Sequence, residues 1–275
     1  SVSAAGQSGP DSHHAGYAPV FGAAGGLGML TGYADGPPVE VRHAMDHSTG
    51  LNAAAATLAA WLHRKRTGRG QHVDVAAREV AMSFIGAALL QQAVLGHAGG
   101  RAGNDMPPAA PHNVYPCRGD DAWISIAVHD DAQWQALAGV MDRPAWTADE
   151  RYANQPARWQ HRAALDAHLA AWTVAHDKHE LTRRLQAAGV PAFASYTSAD
   201  IVADPHLAER GTIQPHAGAG TTRAVVAAPW RLERTPARAC GHTPALGEHH
   251  EYVFGEVLGL SRERIAELIE CRAIW

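Results

Sequence analysis

An α/β domain with an open sheet, followed by a smaller α+β unit, is the fold this sequence predicts. Three observations carry the prediction. Over residues 1–98, strong helical patterns alternate with short apolar strands, as expected of helices layered on a sheet. From Gly96 to Pro116 the chain turns to glycine and proline, "GHAGGRAGNDMPPAAPHNVYP", a long irregular connection of the kind found at domain boundaries. Beyond it, a strand, three helices and a second strand follow in close order. A chain of 275 residues is long enough for two such cores.

The elements follow in order. "SVSAAGQSGP" reads as a strand end running into a Gly-Pro loop. "GYAPVFGAAGGLGMLTG", from Gly16, reads as a glycine-interrupted helix whose small residues let backbones pack closely. "YADGPPVEV" is a turn and then a short strand. The clearest element is a helix from about Ser48 to Arg66, capped by Ser48 or Thr49, basic at its end and stopped at Gly68. "GQHVDVAA" alternates as a strand, and "REVAMSFIGAALLQQAVLG" reads as a second strong helix, apolar nearly all round and so expected to be buried. In the second part, strands are expected at "AWISIAV" and "VPAFASY", with helices at "DDAQWQALAGVM", "RAALDAHLAAWTVAH" and "KHELTRRLQAAG" between them. "ADPHLAERG" is a capped short helix, "AVVAAPWRLERTPAR" a returning strand and loop, and a last helix runs from about Arg262 to Arg272.

Composition narrows the functional classes. The net charge of −4 gives no basic footprint for nucleic acid, and the cluster "HRKRTGRGQH" reads as cations at a helix C-terminus. No apolar run is long enough to span a bilayer. No signal-peptide pattern is visible, and the sparse cysteine usage makes the reducing cytoplasm the expected compartment. The three cysteines, Cys117, Cys240 and Cys271, are too far apart for a zinc knuckle and odd in number for a disulfide framework. Histidines are numerous, at 18, but their spacing gives no H-E-x-x-H pattern; His176 and His179 read as polar surface and no metal site is expected.

Tests for common catalytic motifs leave one residue. "GAAGGLG" reads as a packed helix rather than a dinucleotide-binding turn, and neither a P-loop nor a G-x-S-x-G elbow is present. Asp46 remains, in "MDHSTG" ahead of the first long helix. An Asp there is ordinarily a cap or a partner of the helix dipole. It can also be a nucleophile toward an activated acyl group, giving a mixed anhydride. A carboxylate needs no general base for this, being ionised near neutral pH. A helix N-terminus beside it would stabilise the oxyanion, and the small residues Ser48, Thr49 and Gly50 leave room for a bulky thioester.

The chain resembles the class III CoA-transferases, also called the CaiB/BaiF family, over essentially its whole length. The pieces that carry the resemblance are "GQSGP", "GYAPVFGAAGGLGMLTGYADGPPV", "MDHSTG" leading to "RKRTGRGQHVDVA", "GRAGNDMPPAAPHNVYP", "RLQAAGVPA", "ADPHLAERG" and "LGEHHEYV". The family's catalytic Asp lies in a D-x-x-x-G segment before the helix that ends in T-G-x-G-Q; here that is Asp46 with Gly50, and Thr67 to Gln71. The resemblance implies CoA transfer from an acyl-CoA to a carboxylic acid through a covalent aspartyl intermediate, with coenzyme A as a substrate and no metal. It implies that Tyr17 lines the CoA region, and that Gly99, Gly100, Gly103 and Asn104 form a loop near the reacting thioester.

A neighbouring branch of the family racemises 2-methylacyl-CoA esters with a His–Asp pair. His13 stands four residues before Tyr17, as that branch's His does, although the accompanying Asp and Asn are absent. Racemisation through His13 and Asp46 is thus one alternative, and a non-catalytic subunit completing a partner's fold is another. By the same resemblance, residues 1–98 are the remaining part of a large Rossmann-like domain, 99–116 a linker, 117–215 the small α+β domain, and 216–275 a return segment and terminal helix. The expected assembly is the interlocked dimer, with Gly96–Pro116 and Ala227–Arg238 as its linkers. The family's nucleotide-binding half begins earlier than this chain does. A fragment, a partner chain supplying that half, and a degenerate relic are the three readings, and the sheet edge a lone piece would expose favours a partner.

Overall fold

The computed structural model describes residues 1–41, 43–218, 221–237 and 244–274. Cys240, and Arg238 at the end of the expected return linker, lie outside the described residues. The fold is mixed α/β, as expected, and divides into two compact units, Ser1–Ser195 and Tyr196–Trp275. Among the described residues, no helix is long and apolar enough to cross a membrane.

The first unit opens with β1 (Val2–Ser3), which pairs in parallel with β2 (Val75–Ala76). Between them lie α1 (Ala18–Ala24), α2 (Leu27–Leu30) and α3 (Ala44–Thr67). The glycine-interrupted helix is therefore two helices, broken at Gly25 and Gly26; Gly26 sits at φ 84°, a left-handed conformation that glycine adopts without strain. α3 ends as expected, with Gly68 at φ 76° donating its N–H to Arg64 O. α4 (Ala77–Ser83) and α5 (Gly86–Leu95) follow β2. A small core of Ala18, Met45, Val80 and Ala81 joins α1, α3 and α4.

Four sequence expectations are revised here. α3 begins at Ala44, four residues before the expected cap, so Ser48 and Thr49 lie inside the helix. Burial of Met45 pulls that turn into the helix, and Thr49 then bonds back to Met45 O at 2.8 Å instead of capping. The second long helix is two, and α5 buries none of its residues; the all-round apolar pattern registers hydrophobicity but not what covers it. The strand expected in "GQHVDVAA" keeps only Val75 and Ala76. The strand expected in "YADGPPVEV" is absent, leaving a turn closed by Gly36 N–H to Tyr33 O.

The rest of the first unit is a three-stranded antiparallel sheet with helices on one face. β3 (His112–Pro116), β4 (Trp123–Ala127) and β5 (Ala192–Ala194) pair in that order, with Tyr115 opposite Ile124 and Asn113 opposite Ile126. Alternation buries Ile124 and Ile126 while Trp123 and Ser125 face outward. α6 (Asp131–Val140), α7 (Gln155–Gln160), α8 (Arg162–Thr173) and α9 (Lys178–Ala187) complete it. Their apolar stripes meet the sheet in a core that includes Tyr115, Ile126, Trp134, Leu137, Leu169 and Leu185. Asp130, Asn154 and Asp177 cap α6, α7 and α9 through their side chains.

One charged group is built into this core. Arg158 is fully buried, its guanidinium 5.4 Å from the centre of the Trp134 ring. It donates to Ala110 O at 3.0 Å, to the Asp131 carboxylate at 2.7 Å, and to the Tyr152 and Asp130 carbonyls. It thereby ties the segment before β3 to the helical layer.

The second unit holds α10 (Ser198–Ala203), α11 (Pro205–Glu209), the antiparallel pair β6 (Ile213–Gly218) and β7 (Thr221–Val226), a π-helical turn at Glu251–Val257, and α12 (Arg262–Glu270). The short helix expected at "ADPHLAERG" is α11, with Asp204 accepting from Leu207 N and Pro205 in its first turn.

Arg158→Met should keep the packing volume but leave buried carbonyls without a donor. We expect a loss on the order of 2–4 kcal/mol in urea denaturation. A loss below about 0.5 kcal/mol would show that solvent replaces the guanidinium there.

Candidate active site

Asp46 is the third residue of α3 and its carboxylate is exposed. The first-turn N–H groups have no side-chain cap, since His43, at the N-cap position, makes no such bond. They remain as a partial positive charge beside the carboxylate. His43 is held at φ 62°, an uncommon conformation for a non-glycine residue, and accepts at its carbonyl from His47 Nδ1 at 2.7 Å. Among the described residues, Asp46 has no hydrogen bond or ion pair, which leaves both oxygens available.

Gly50 lies one turn after Asp46, on the same helix face. A methyl group added there would meet nothing within 4 Å. The surface over the carboxylate is therefore open, and the missing side chain keeps it so.

Tyr17 stands at the N-cap of α1 with its ring 84% exposed. Its neighbour Ala18 and Asp46's neighbour Met45 belong to the same small core. That shared core is what brings the start of α1 and the first turn of α3 to one side of the unit.

The glycine loop is placed by different contacts. Gly100 is exposed and has open space where a side chain would project. Gly103 has φ 58°, and a Cβ there would come within 2.6 Å of the Tyr33 ring, so only glycine fits. Its N–H donates to Gly32 O at 2.8 Å. Arg101 donates to Tyr33 O at 3.2 Å and to Gly36 O at 2.8 Å. Asn104 donates to Tyr33 Oη at 3.4 Å and to Asn113 Oδ1 at 2.9 Å. Gly103 and Asn104 thus meet on Tyr33, whereas no hydrogen bond or ion pair among the described residues joins the loop to Asp46 or Tyr17.

His13 is exposed, its ring edge-on to His14 at 4.8 Å. His14 lies 3.6 Å from Asp11, whose other oxygen is held by Arg78 at 2.8 Å. No hydrogen bond among the described residues links His13 to Asp46. The sequence reading passed over Tyr33, Asn113 and Asp166. All three act through partners 50 or more residues away, as in the 71-residue span from Tyr33 to Asn104 and the 53-residue span from Asn113 to Asp166, and no local pattern marks such pairs.

Gly50→Ala should stabilise α3 by about 0.5–1 kcal/mol, because alanine costs less entropy in a helix and the added methyl meets open space. The check is the midpoint of thermal unfolding; a lower midpoint would show that this surface is covered.

The geometry can be set beside known proteins. A model of CoA-transferase family III matches residues 1–250. The succinyl-CoA–D-citramalate CoA-transferase of Chloroflexus aurantiacus is 34% identical over 99% of this chain and 68% of its own length. The succinate–glutarate CoA-transferase of Agrobacterium fabrum is 30% identical over 95% of this chain and 66% of its own. A CaiB/BaiF family protein from Brucella suis has a crystal structure that superposes with a TM-score of 0.82 at 30% identity, covering 93% of this chain and 66% of that one. The chain therefore spans about two thirds of the length of these relatives. The mixed α/β fold is that of the CaiB/BaiF structure, and the chain belongs to CoA-transferase family III.

Proposed function

We propose that the protein transfers CoA from an acyl-CoA to a free carboxylic acid, with Asp46 as the covalent acyl carrier. The observation that carries the proposal is the state of Asp46: an exposed carboxylate without a partner, in the first turn of a long helix whose N–H groups have no side-chain cap. A structural cap would be bonded to those groups. In the proposed cycle, Asp46 attacks the thioester carbonyl and CoA thiolate leaves, forming a mixed anhydride. The thiolate then attacks the aspartyl carbonyl and releases the donor acid, leaving an aspartyl-CoA thioester. An acceptor carboxylate attacks that thioester, expels the thiolate, and forms a second anhydride. The thiolate attacks the acceptor's carbonyl, giving the new acyl-CoA and free Asp46. The helix N-terminus favours each oxyanion as it forms.

The open surface over Gly50 gives the thioester its approach, and the exposed Tyr17 ring offers an apolar contact to the CoA arm. Gly100, Gly103 and Asn104 form the loop that closes beside the thioester. The two named relatives exchange CoA among dicarboxylic acids and their CoA esters, by their names, and we extend that substrate class to this chain. Transfer is preferred to racemisation because both named relatives are transferases and His13 faces solvent beside His14. An interlocked dimer belongs to the same proposal. α5 leaves Leu89, Leu90, Val94 and Leu95 exposed, and clustered apolar side chains of this kind mark interaction surfaces.

The test is Asp46→Asn in the full-length protein, assayed with succinyl-CoA and a panel of dicarboxylates. The amide keeps shape and folding but removes the nucleophile, so kcat should fall by about 10³-fold or more while thermal stability changes by less than about 1 kcal/mol. Near wild-type turnover would end the proposal.

A further inference from the structure

β3 places Asn113 and Tyr115 on one face, two residues apart, and both reach the same carboxylate. Tyr115 Oη donates to Asp166 Oδ1 at 2.6 Å, and Asn113 Nδ2 donates to Asp166 Oδ2 at 2.9 Å. Asp166 is held from below by its own helix, since its neighbours Leu165 and Leu169 on α8 are fully buried. The orientation of the Asn113 amide is fixed. Its oxygen accepts from Val114 N at 2.8 Å and from Asn104 Nδ2 at 2.9 Å, so its nitrogen must face the carboxylate. A second tie runs parallel to this one, from His112 Nδ1 to Asn104 O at 2.7 Å. The path from α8 through Asn113 to Asn104 therefore consists of short bonds with every donor matched to an acceptor.

At its far end the path meets the glycine loop, which is bonded in turn to Gly32, Tyr33 and Gly36 in the segment leading to α3. The loop is a bridge with one foot on the Gly32–Gly36 segment and the other on the α+β core. Tyr115 is 2% exposed, and burial first, then the Asp166 charge, raises its phenol far above the ordinary range. The phenol thus stays a neutral donor to Asp166.

We propose that Asp166 is a positioning residue for CoA transfer: through Asn113 and Asn104 it holds the Gly99–Asn104 loop against the reacting thioester. This rests on the transfer reading above. Asp166 does not touch the reacting atoms. Its effect is to keep the loop closed while an activated acyl group is on the enzyme, when water would otherwise compete with the acceptor.

The polarity of the bonds supplies a specific test. Asp166→Asn leaves one oxygen for Tyr115 but turns an NH₂ group toward the NH₂ of Asn113, which breaks the relay. Adding Asn113→Asp reverses that link: the new carboxylate accepts from the Asn at 166 and still accepts from Asn104 and Val114. The full-length wild type, the single variant and the double variant are compared in three measurements: transfer kinetics with succinyl-CoA and a dicarboxylate, acyl-CoA hydrolysis without acceptor, and amide hydrogen exchange of residues 99–104 without substrate.

Asp166→Asn should lower kcat by about 10- to 100-fold with the KM for acyl-CoA changed far less, as expected for lost positioning. It should raise the hydrolysed share and speed exchange in the loop, and the double variant should restore all three. Wild-type kcat and exchange in folded Asp166→Asn would overturn the proposal, as would a double variant that regains stability but not kcat. A wild-type protein that transfers no CoA would instead overturn the transfer reading, and the exchange measurement would still decide whether Asp166 orders the loop.

Discussion

The candidate site depends on the burial of Met45. With no exposure to solvent, Met45 sits in a small core with Ala18, Val80 and Ala81, and so fixes the first turn of α3 against α1 and α4. Three consequences follow. The turn is helical from Ala44, so Asp46 lies within the field of the helix N-terminus rather than ahead of it. Neighbouring side chains on a helix diverge, so burying Met45 turns Asp46 outward. Ala18, in the same core, brings Tyr17 to that side. A core this small contributes modest hydrophobic energy. Its importance is directional.

The second constraint is the loop that crosses from the Gly32–Gly36 segment to the α+β core. It is held at both ends by hydrogen bonds and at Gly103 by sterics, and the tight packing of Gly103 on Tyr33 leaves it little freedom. Arg158 contributes from the other side, because its bond to Ala110 O secures the chain just before β3. A buried guanidinium bound to several carbonyls is costly to desolvate, but it fixes backbone positions that apolar packing alone would leave loose.

Much of this was legible in the sequence, and the failures have physical causes. Three helices of the α+β unit, α6, α8 and α9, announced themselves through their local sequence pattern. The start of α3 was misread because a strong local cap signal, Ser48 and Thr49, was overridden by burial of Met45, a tertiary effect. α5 was read as buried because periodicity measures apolarity and cannot say which surface covers it. Asp46 stands out as a candidate through its motif and the resemblance to a family. Asp166 was missed because an Asp in mid-helix, half-exposed, carries no signal until its partners on β3 are known.

The central claim is that Asp46 becomes covalently acylated. The most direct measurement is to mix the full-length protein with succinyl-CoA, quench with hydroxylamine, digest it, and map the modified residue by tandem mass spectrometry. Both the anhydride and the aspartyl-CoA thioester are activated acyl groups, so hydroxylamine should convert Asp46, and no other carboxylate, to its hydroxamate. An unmodified Asp46 in an enzyme that is turning over, or a hydroxamate formed at a different residue, would contradict the account.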